Sequence, residues 1–391
     1  MTLMKRLFVA LSLVLLSFLG FAQMPSEGTP SIFNVPAKDY PCVDAEGRAT
    51  FKVVAPQANE VLVDICSKKY PMTRDDKGVW MVTTDPLVVG FHYYFIIIDG
   101  VSVADPSSDS FFGCGVMASG IEIPEAPEVA AYYTFNKNVP HGQVRECQYW
   151  SEIEQAMRRC FVYTPADYDK STKKYPVLYL QHGGGENEYG WPEQGKTGLI
   201  MDNLIAEGKA EVFIIVMDNG TWARPRPAAG QMPARPQGQR GQGMSLPSNW
   251  ADGFMNTLIN DIIPMVDSRY RTKADRKYRA MAGLSMGGMQ TKIITMKNPD
   301  VFSALGMFSG GVISVEEADQ TEGFRDAYKL VFISYGSHEL KDPRWGHDQE
   351  ATTAALKASG MNAHFYISPE TAHEWQSWRR SLHQFAQLLF K

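Results

Sequence analysis

The sequence lacks an excess of basic residues, since 38 Lys and Arg stand against 43 Asp and Glu for a net charge of −5. Proteins bind nucleic-acid backbones through clustered positive charge, so we expect no nucleic-acid partner. Cysteine is also scarce, and an odd count of five excludes a disulfide-dense scaffold and leaves at least one thiol unpaired. Because no Cys-x-x-Cys or His-x-x-x-His pair occurs, the sequence predicts no metal site, and we expect no cofactor.

Long apolar runs are missing too, apart from Leu7–Phe21 directly after a Lys-Arg pair. This run has 15 residues, whereas a helix needs about 20 to span a membrane. Small residues at Gly20 and Ala22 then fit a signal-peptidase site. The sequence therefore predicts a signal peptide over 1–22 and a secreted or periplasmic mature protein with no stable membrane span. A retained membrane anchor is the alternative.

Residues 30–125 contain short strand-like runs rich in β-branched and aromatic residues. They are separated by turn signals such as Asp99-Gly100 and show no helical period. This spacing predicts a β-sandwich of the immunoglobulin-like type. Residues 126–149 have no clear period and are interpreted as a linker. The predicted strands are Phe51–Pro56, Val61–Ile65, Val79–Thr84 and Gly90–Ile98.

From residue 150 to residue 391 the pattern changes to strand, loop and helix. Helical segments such as Gly198–Glu207 and Met255–Ser268 lie between the apolar runs. This alternation predicts an α/β domain, with a mainly parallel sheet covered by helices on both faces. The predicted strands are Phe161–Thr164, Val177–Leu180, Val212–Met217, Arg279–Ala282, Ala304–Phe308, Leu330–Ser334 and His364–Ile367.

A Gly-x-Ser-x-Gly motif centred on Ser285 lies between a predicted strand and a helical segment. A sharp strand-to-helix turn of this kind exposes the serine hydroxyl, and the glycines avoid clashes in the turn. We therefore interpret Ser285 as a nucleophile. A base must take the hydroxyl proton before the oxygen can attack.

His373 is the best placed candidate base, because it lies in a loop after the last predicted strand. The known chain order of nucleophile, acid and histidine puts the acid after the preceding strand. Glu339 is the first choice for this acid and Asp342 is the second. Each of these two carboxylates is also typical of an ordinary solvated loop.

A glycine-rich turn, Gln181-His182-Gly183-Gly184-Gly185, follows the predicted strand Val177–Leu180. Exposed backbone N–H groups in such a turn stabilise the oxyanion in acyl transfer. We predict that the donors are the N–H groups of Gly184 and of Met286, the residue after the nucleophile. His182 is interpreted as a structural hydrogen-bonding residue.

With these motifs in place, residues 150–391 resemble the esterase D group of α/β hydrolases, and carbohydrate esterase family 1 in particular. The resemblance implies an α/β hydrolase fold and feruloyl or acetyl xylan esterase activity. It carries Ser285, His373, Gly184 and Met286 over directly, whereas the family usually has Asp where this chain has Glu339. The matching stretches are Pro176–Trp191, Asp261–Pro264, Arg279–Gly288 and His373–Phe390.

Residues 30–125 are similar to the early-set β-sandwich called carbohydrate-binding module family 48. Trp80 and Tyr94 could stack on sugars there, although such residues are more often core. The combined resemblance implies a serine esterase that acts on plant cell-wall polysaccharide. We expect the N-terminal domain to take no part in the chemistry. The alternatives are a peptidase or thioester hydrolase on the same fold and an inactive glycan-binding homologue.

Substrate contacts are expected from two tryptophans and from a Pro- and Gly-rich segment over 223–250, which composition marks as a long loop. Trp191 and Trp222 would form an aromatic wall, which favours ferulate slightly over acetate. Arg224 and Arg226 would favour an anionic neighbour such as a glucuronate branch. The alternative is a solvated loop that does not contact the substrate.

Overall fold

The computed structural model describes residues 28–221, 249–341 and 348–391. The predicted signal peptide over 1–22 lies outside these residues. Within the described ranges, no helix is long and apolar enough to cross a membrane. All five cysteines lie within the described residues, and Cys42, Cys147 and Cys160 are buried.

The described residues form two compact units, here called the N-terminal unit and the large unit. The N-terminal unit runs to Val88 and includes Tyr94–Asp109 and Ile121–Ile123. The large unit comprises Val89–Tyr93, Ser110–Gly120 and Pro124–Lys391. The sequence predicts one domain over 30–125, but two of its segments therefore belong to the large unit. Strand alternation looks the same in both units, so the sequence does not mark this division.

The strands up to residue 123 form two sheets. A five-stranded sheet has the order β1-β2-β3-β7-β6, and a six-stranded sheet has the order β10-β11-β8-β4-β5 with β9 paired to β8. The four predicted strands are confirmed as β3, β4, β7 and β8. The strands are β1 (Thr29–Pro30), β2 (Cys42–Val43), β3 (Arg48–Val54), β4 (Val61–Ile65), β5 (Lys68–Pro71), β6 (Thr73–Arg74), β7 (Val79–Pro86), β8 (Gly90–Ile98), β9 (Val101–Val103), β10 (Ser110–Gly113) and β11 (Val116–Ile123).

The large unit is built on an eight-stranded sheet with the order β12-β13-β15-β14-β16-β17-β18-β19. The seven predicted strands are confirmed as β13 to β19. Strand β12 begins inside the predicted linker 126–149, so the end of that stretch belongs to the sheet. The strands are β12 (Gln143–Ser151), β13 (Ala156–Thr164), β14 (Val177–Gln181), β15 (Ile214–Asp218), β16 (Arg279–Leu284), β17 (Ala304–Phe308), β18 (Leu330–Gly336) and β19 (Ala363–Ser368).

Helices alternate with these strands as the sequence pattern predicts. The predicted helix over 255–268 is observed as two α-helical segments joined by a π-helical turn, Leu258–Ile262. Short 3-10 turns lie at Tyr168–Lys170, Arg276–Tyr278 and Glu339–Lys341. The α-helices are α1 (Pro127–Ala130), α2 (Gly190–Glu193), α3 (Thr197–Ala206), α4 (Asp252–Thr257), α5 (Ile263–Arg269), α6 (Met286–Lys297), α7 (Val315–Gln320), α8 (Phe324–Ala327), α9 (Gln349–Ala358) and α10 (Trp375–Ala386).

The central strands are apolar along nearly their whole length, which is typical of strands covered on both faces. Every residue of β14, β15 and β17 is buried. Helix α6 packs against β16 and β17, and α10 packs against β17, β18 and β19. Strands β14 and β16 to β19 pair in parallel, so their carboxyl ends meet at one edge of the sheet.

A buried polar network ties the β12–β13 hairpin to β15. The Arg158 guanidinium lies 2.7 Å from Oδ1 of Asp218, and the Tyr149 hydroxyl donates to Oδ2 of Asp218 at 2.8 Å. Arg158 also forms a salt bridge with Glu154. Burial raises the pKa of Asp218 to about 6, although Arg158 acts in the opposite direction. One cation therefore compensates two buried carboxylates.

Arg158→Met should destabilise the fold by about 3–5 kcal/mol at neutral pH, because it leaves Asp218 and Glu154 buried without their cation. Urea unfolding followed by circular dichroism measures this difference. Arg325→Met is the matched control, since Arg325 pairs with Asp319 at the surface, and an exposed pair contributes less than about 1 kcal/mol. Equal losses in the two variants would contradict the role given to Arg158.

Candidate active site

Ser285 occupies the turn between β16 and α6. Its backbone angles are φ 50° and ψ −114°, which non-glycine residues rarely adopt. The turn is closely packed, because a Cβ atom added at Gly283 would come within 2.5 Å of the Gly287 carbonyl carbon. At Gly287 an added Cβ atom would lie 2.6 Å from the His182 carbonyl oxygen. The two glycines of the motif are therefore required by space.

His373 lies between β19 and α10 and contacts both Ser285 and Glu339. Its Nε2 atom is 2.9 Å from the Ser285 hydroxyl, and its Nδ1 atom is 2.7 Å from Oε1 of Glu339. A carboxylate can only accept, so Nδ1 carries the ring proton and Nε2 is left to accept the serine proton. The structure thus brings together the three residues that the sequence predicts as nucleophile, base and acid.

The Glu339 carboxylate is held by more than the histidine. Its Oε2 atom accepts hydrogen bonds from the Gly336 N–H and from the Ser309 hydroxyl, both at 2.7 Å. The Glu339 side chain is 2% exposed, whereas that of His373 is 37% exposed. The acid is therefore fixed below the surface, while the base is open to a substrate. Asp342, the second choice for the acid, lies outside the described residues.

Two residues that the sequence does not predict, Ser309 and Trp378, support Glu339 and His373. The Trp378 indole donates to the Ser309 hydroxyl at 3.1 Å, so both residues help to fix Glu339. The Trp378 ring also meets the His373 ring edge to face at 5.0 Å. Ser309 follows β17 directly, at the edge where Ser285 and Glu339 follow their strands, and this position is the one signal that could have identified it.

The segment His182–Glu186, here called the oxyanion loop, lies beside the nucleophile. A Cβ atom added at Gly183 would be 3.5 Å from Cβ of Ser285, and one added at Gly184 would be 3.9 Å from Cβ of Met286. The two predicted oxyanion donors are therefore close to Ser285. Their role in catalysis stays a prediction.

His182 is buried in the oxyanion loop and has a structural role. Its Nε2 atom accepts the Gly220 N–H at 3.0 Å, so Nδ1 carries the proton and donates to the Gly183 carbonyl at 2.8 Å. Burial lowers the pKa of His182, which keeps the ring neutral at physiological pH. The sequence-based interpretation of this residue is supported by these bonds.

Glu186 closes the oxyanion loop, and the sequence analysis does not single it out. Its Oε2 atom accepts the Gly183 N–H at 3.2 Å, and its Oε1 atom accepts the Tyr93 hydroxyl at 3.2 Å. Burial raises the pKa of Glu186 to about 7. The Gly115 N–H donates to the Gly185 carbonyl at 2.8 Å. Tyr93 and Gly115, from the predicted N-terminal domain, thus contact the oxyanion loop, and the expectation that this domain takes no part in the chemistry stays a prediction.

The structure corrects one predicted substrate contact. Trp191 is 1% exposed, and its indole donates to the Gln181 carbonyl at 2.8 Å, so it presents no face to a ligand. It packs instead against Trp375 at 5.4 Å. The other candidates, Trp222, Arg224 and Arg226, lie outside the described residues. In the described part of the chain, no group of three or more His, Cys, Asp or Glu could hold a metal ion.

Comparison with known proteins relates the chain to esterases. Residues 151–388 match a protein family described as "Putative esterase". An endo-1,4-beta-xylanase/feruloyl esterase of Xylanibacter ruminicola is 41% identical over 370 residues, which cover 93% of this chain and 47% of that protein. Endo-1,4-beta-xylanase Y of Acetivibrio thermocellus is 27% identical over 241 residues, which cover 55% of this chain and 20% of that protein. The chain spans about half or less of these curated relatives.

Two solved structures show the same architecture. The enterobactin esterase of Shigella flexneri has a TM-score of 0.60 at 17% identity, over 88% of this chain and 92% of that chain. A carbohydrate esterase family 1 ferulic acid esterase of Anaeromyces mucronatus, solved with ferulic acid, has a TM-score of 0.53 at 24% identity, over 66% of this chain and 94% of that chain. At such identities the likeness shows the fold alone. The predicted α/β hydrolase fold is confirmed.

Ser285→Ala and His373→Ala should each reduce kcat on an aryl ester by about 10³-fold or more, since each removes a group that acts on the reacting atoms. Ser303→Ala and His364→Ala are matched controls, because both residues bond to groups away from the turn at Ser285. Steady-state kinetics with circular dichroism as a folding check measures the effect. Retention of more than about a tenth of the activity in folded Ser285→Ala would refute the nucleophile assignment.

Glu339→Gln should lower kcat by about 10²-fold or more, because the amide keeps the size of the side chain but removes the charge that stabilises the imidazolium. Asp342→Asn is the matched control and should change kcat by less than about threefold. Both variants are compared with the wild type by steady-state kinetics. The reverse result would make Asp342 the acid.

Proposed function

The chain belongs to the esterase family that matches residues 151–388, and from that premise we propose that it is a secreted serine carboxylic-ester hydrolase. Its substrates are esters in which an acyl group is attached to plant cell-wall xylan or to xylan oligosaccharides. The observation that carries the proposal is the hydrogen-bonded series from the Ser285 hydroxyl through His373 to Glu339.

In the proposed mechanism His373 removes the hydroxyl proton as Ser285 Oγ attacks the ester carbonyl carbon. The carbonyl oxygen becomes an oxyanion, which accepts hydrogen bonds from the N–H groups of Gly184 and Met286. Glu339 stabilises the imidazolium that forms. As the bond from the acyl carbon to the sugar oxygen breaks, His373 gives its proton to that oxygen, the sugar leaves as an alcohol, and the acyl group stays on Ser285.

Water completes the cycle. His373 takes a proton from a water molecule, the resulting hydroxide attacks the acyl-enzyme, and a second oxyanion forms at the same donors. When this intermediate collapses, Ser285 Oγ leaves with the proton from His373 and the carboxylic acid is released. The steps need no cofactor, because the histidine moves the proton in both half-reactions.

Ferulate is the acyl group that we propose ahead of acetate. Support comes from the 41% identical relative, whose name includes feruloyl esterase activity. Trp191 no longer supports this choice, since its ring is buried. On charge alone, Arg224 and Arg226 would favour an anionic neighbour such as a glucuronate branch. The acetyl group remains the alternative substrate.

We further propose that residues 30–125 form an immunoglobulin-like early-set module of the carbohydrate-binding module family 48 type. Its strands form two sheets, and buried residues from both sheets belong to one core cluster, which supports this proposal. Trp80 and Tyr94 do not provide a sugar platform, because both are buried in the core of the unit. Any binding of a glycan there would use other side chains. The proposal of secretion rests on the signal peptide that the sequence predicts over 1–22.

Substrate assays test the proposed function. The wild type should release ferulate from methyl ferulate and from a feruloylated arabinoside, with kcat/KM at least about tenfold above that for acetate release from acetylated xylo-oligosaccharides. Product release is measured by chromatography, and Ser285→Ala serves as the inactive control. Fast acetate release without ferulate release would contradict the acyl choice. Cleavage of a peptide substrate in place of both esters would contradict the esterase proposal.

A further inference from the structure

We propose that Glu186 is a positioning residue that, together with Tyr93, sets the backbone of the oxyanion loop for catalysis. The inference rests on the proposed function, since it concerns the N–H group of Gly184 as an oxyanion donor. Glu186 acts through this backbone and does not touch the substrate. Tyr93 lies outside the region that matches the esterase family, residues 151–388.

Gly183 is fixed at both of its backbone polar groups. Its N–H donates to Oε2 of Glu186 at 3.2 Å, and its carbonyl accepts the Nδ1 proton of His182 at 2.8 Å. The Gly183 carbonyl and the Gly184 N–H belong to one planar trans peptide, so they point in opposite directions. The Glu186 carboxylate holds the peptide before Gly183, and the His182 bond holds the peptide after it. Together the two bonds limit rotation at Gly183 and so set the direction of the Gly184 N–H.

The hydrogen bonds of the Tyr93 hydroxyl determine where its proton points. Its hydroxyl oxygen accepts the Trp375 indole N–H at 3.1 Å and the Gln194 amide N–H at 2.8 Å. A phenol has two acceptor sites and one donor, so both acceptor sites are occupied. The Tyr93 proton is then directed to Oε1 of Glu186 at 3.2 Å. This bond holds the carboxyl group in the orientation that receives the Gly183 N–H.

The turn between β10 and β11 holds the oxyanion loop at Gly185. The Gly115 N–H donates to the Gly185 carbonyl at 2.8 Å. In the same hairpin Gly113 lies against the Tyr93 ring, because an added Cβ atom would come within 2.4 Å of the ring carbon Cε1. Gly184 thus lies between Gly183, whose N–H is held by Glu186, and Gly185, whose carbonyl is held by the turn between β10 and β11.

The composition of the network also favours a positional role. Burial raises the pKa of Glu186 to about 7, and the groups around its carboxyl are neutral donors: the Gly183 N–H, the Tyr93 hydroxyl and the Trp375 indole, whose single N–H is shared with the Tyr93 oxygen. A buried carboxylate without a cation is destabilising, and an apolar residue of the same size would pack at less cost. The placement of an acid here is explained by the backbone N–H that it receives.

The test compares Glu186→Gln, Tyr93→Phe and the double variant with the wild type on an aryl ester. Each reaction is normalised by titrating Ser285 with a fluorophosphonate, which counts folded active sites. We expect Glu186→Gln to lower kcat by about 10–100-fold with KM within about threefold, because a displaced oxyanion donor weakens the transition state more than the ground state. The affinity for an arylboronic acid, whose serine adduct is tetrahedral, should fall by the same factor.

Double-mutant analysis separates positioning from general destabilisation. Since Tyr93 acts through Glu186, the double variant should be within about threefold of Glu186→Gln alone in kcat. If Glu186→Gln yields too little folded protein, Tyr93→Phe alone should still lower kcat and boronate affinity in parallel. Independent, multiplying losses in the double variant would overturn the proposal.

Asp202→Asn and Tyr163→Phe provide matched controls elsewhere in the large unit. The Asp202 carboxylate likewise accepts a backbone N–H, from Gly142 at 2.9 Å, and a tyrosine hydroxyl, from Tyr163 at 2.7 Å. These variants should keep kcat within about twofold of the wild type after titration. Equal losses in both pairs, or an unchanged kcat in Glu186→Gln, would overturn the positioning role. A wild type that neither hydrolyses esters nor reacts with the fluorophosphonate would instead refute the proposed function.

Discussion

The parallel pairing of β14, β16, β17, β18 and β19 is the constraint on which the candidate site depends. Parallel strands end at the same edge of a sheet, so the loops after them meet although they are far apart in the chain. The oxyanion loop follows β14, Ser285 follows β16, and Ser309 follows β17. Glu339 and His373 follow β18 and β19. The side chains need only short loops to reach one another, because the register of the strands has already aligned them.

Burial of polar groups at this edge determines how firmly each one is held. A buried donor or acceptor without a partner destabilises the fold, so each buried polar group here needs hydrogen-bond partners. Glu339 has three such bonds, to His373, Gly336 and Ser309. Glu186 accepts the Gly183 N–H and the Tyr93 hydroxyl. The most exposed of these side chains is that of His373, at 37%, and the proposed mechanism requires this residue to exchange protons with substrate and water.

The sequence predicts most of what local patterns can specify. The strands of the sheet, the turn at Ser285 and the loop of His373 follow from apolar runs, glycine spacing and chain order. It does not predict Tyr93, Ser309, Glu186 or Trp378, because their contacts arise from tertiary packing across long sequence separations. Trp191 is misassigned for a related reason: a tryptophan has the same local signature whether its indole lines a cleft or donates to a buried carbonyl. The sequence also does not predict which strands belong to which compact unit, since a strand shows the same alternation whichever unit it joins.

The large unit is discontinuous in sequence. The esterase match begins at residue 151, but Val89–Tyr93 and Ser110–Gly120 pack as part of the same compact unit. Two of their groups, the Tyr93 hydroxyl and the Gly115 N–H, bond to the oxyanion loop. A loop made mostly of glycine has little intrinsic preference for one backbone conformation, because glycine loses more freedom on ordering than any other residue. Its conformation must therefore be imposed by neighbours, and here two of those neighbours come from the part of the chain that precedes the family match.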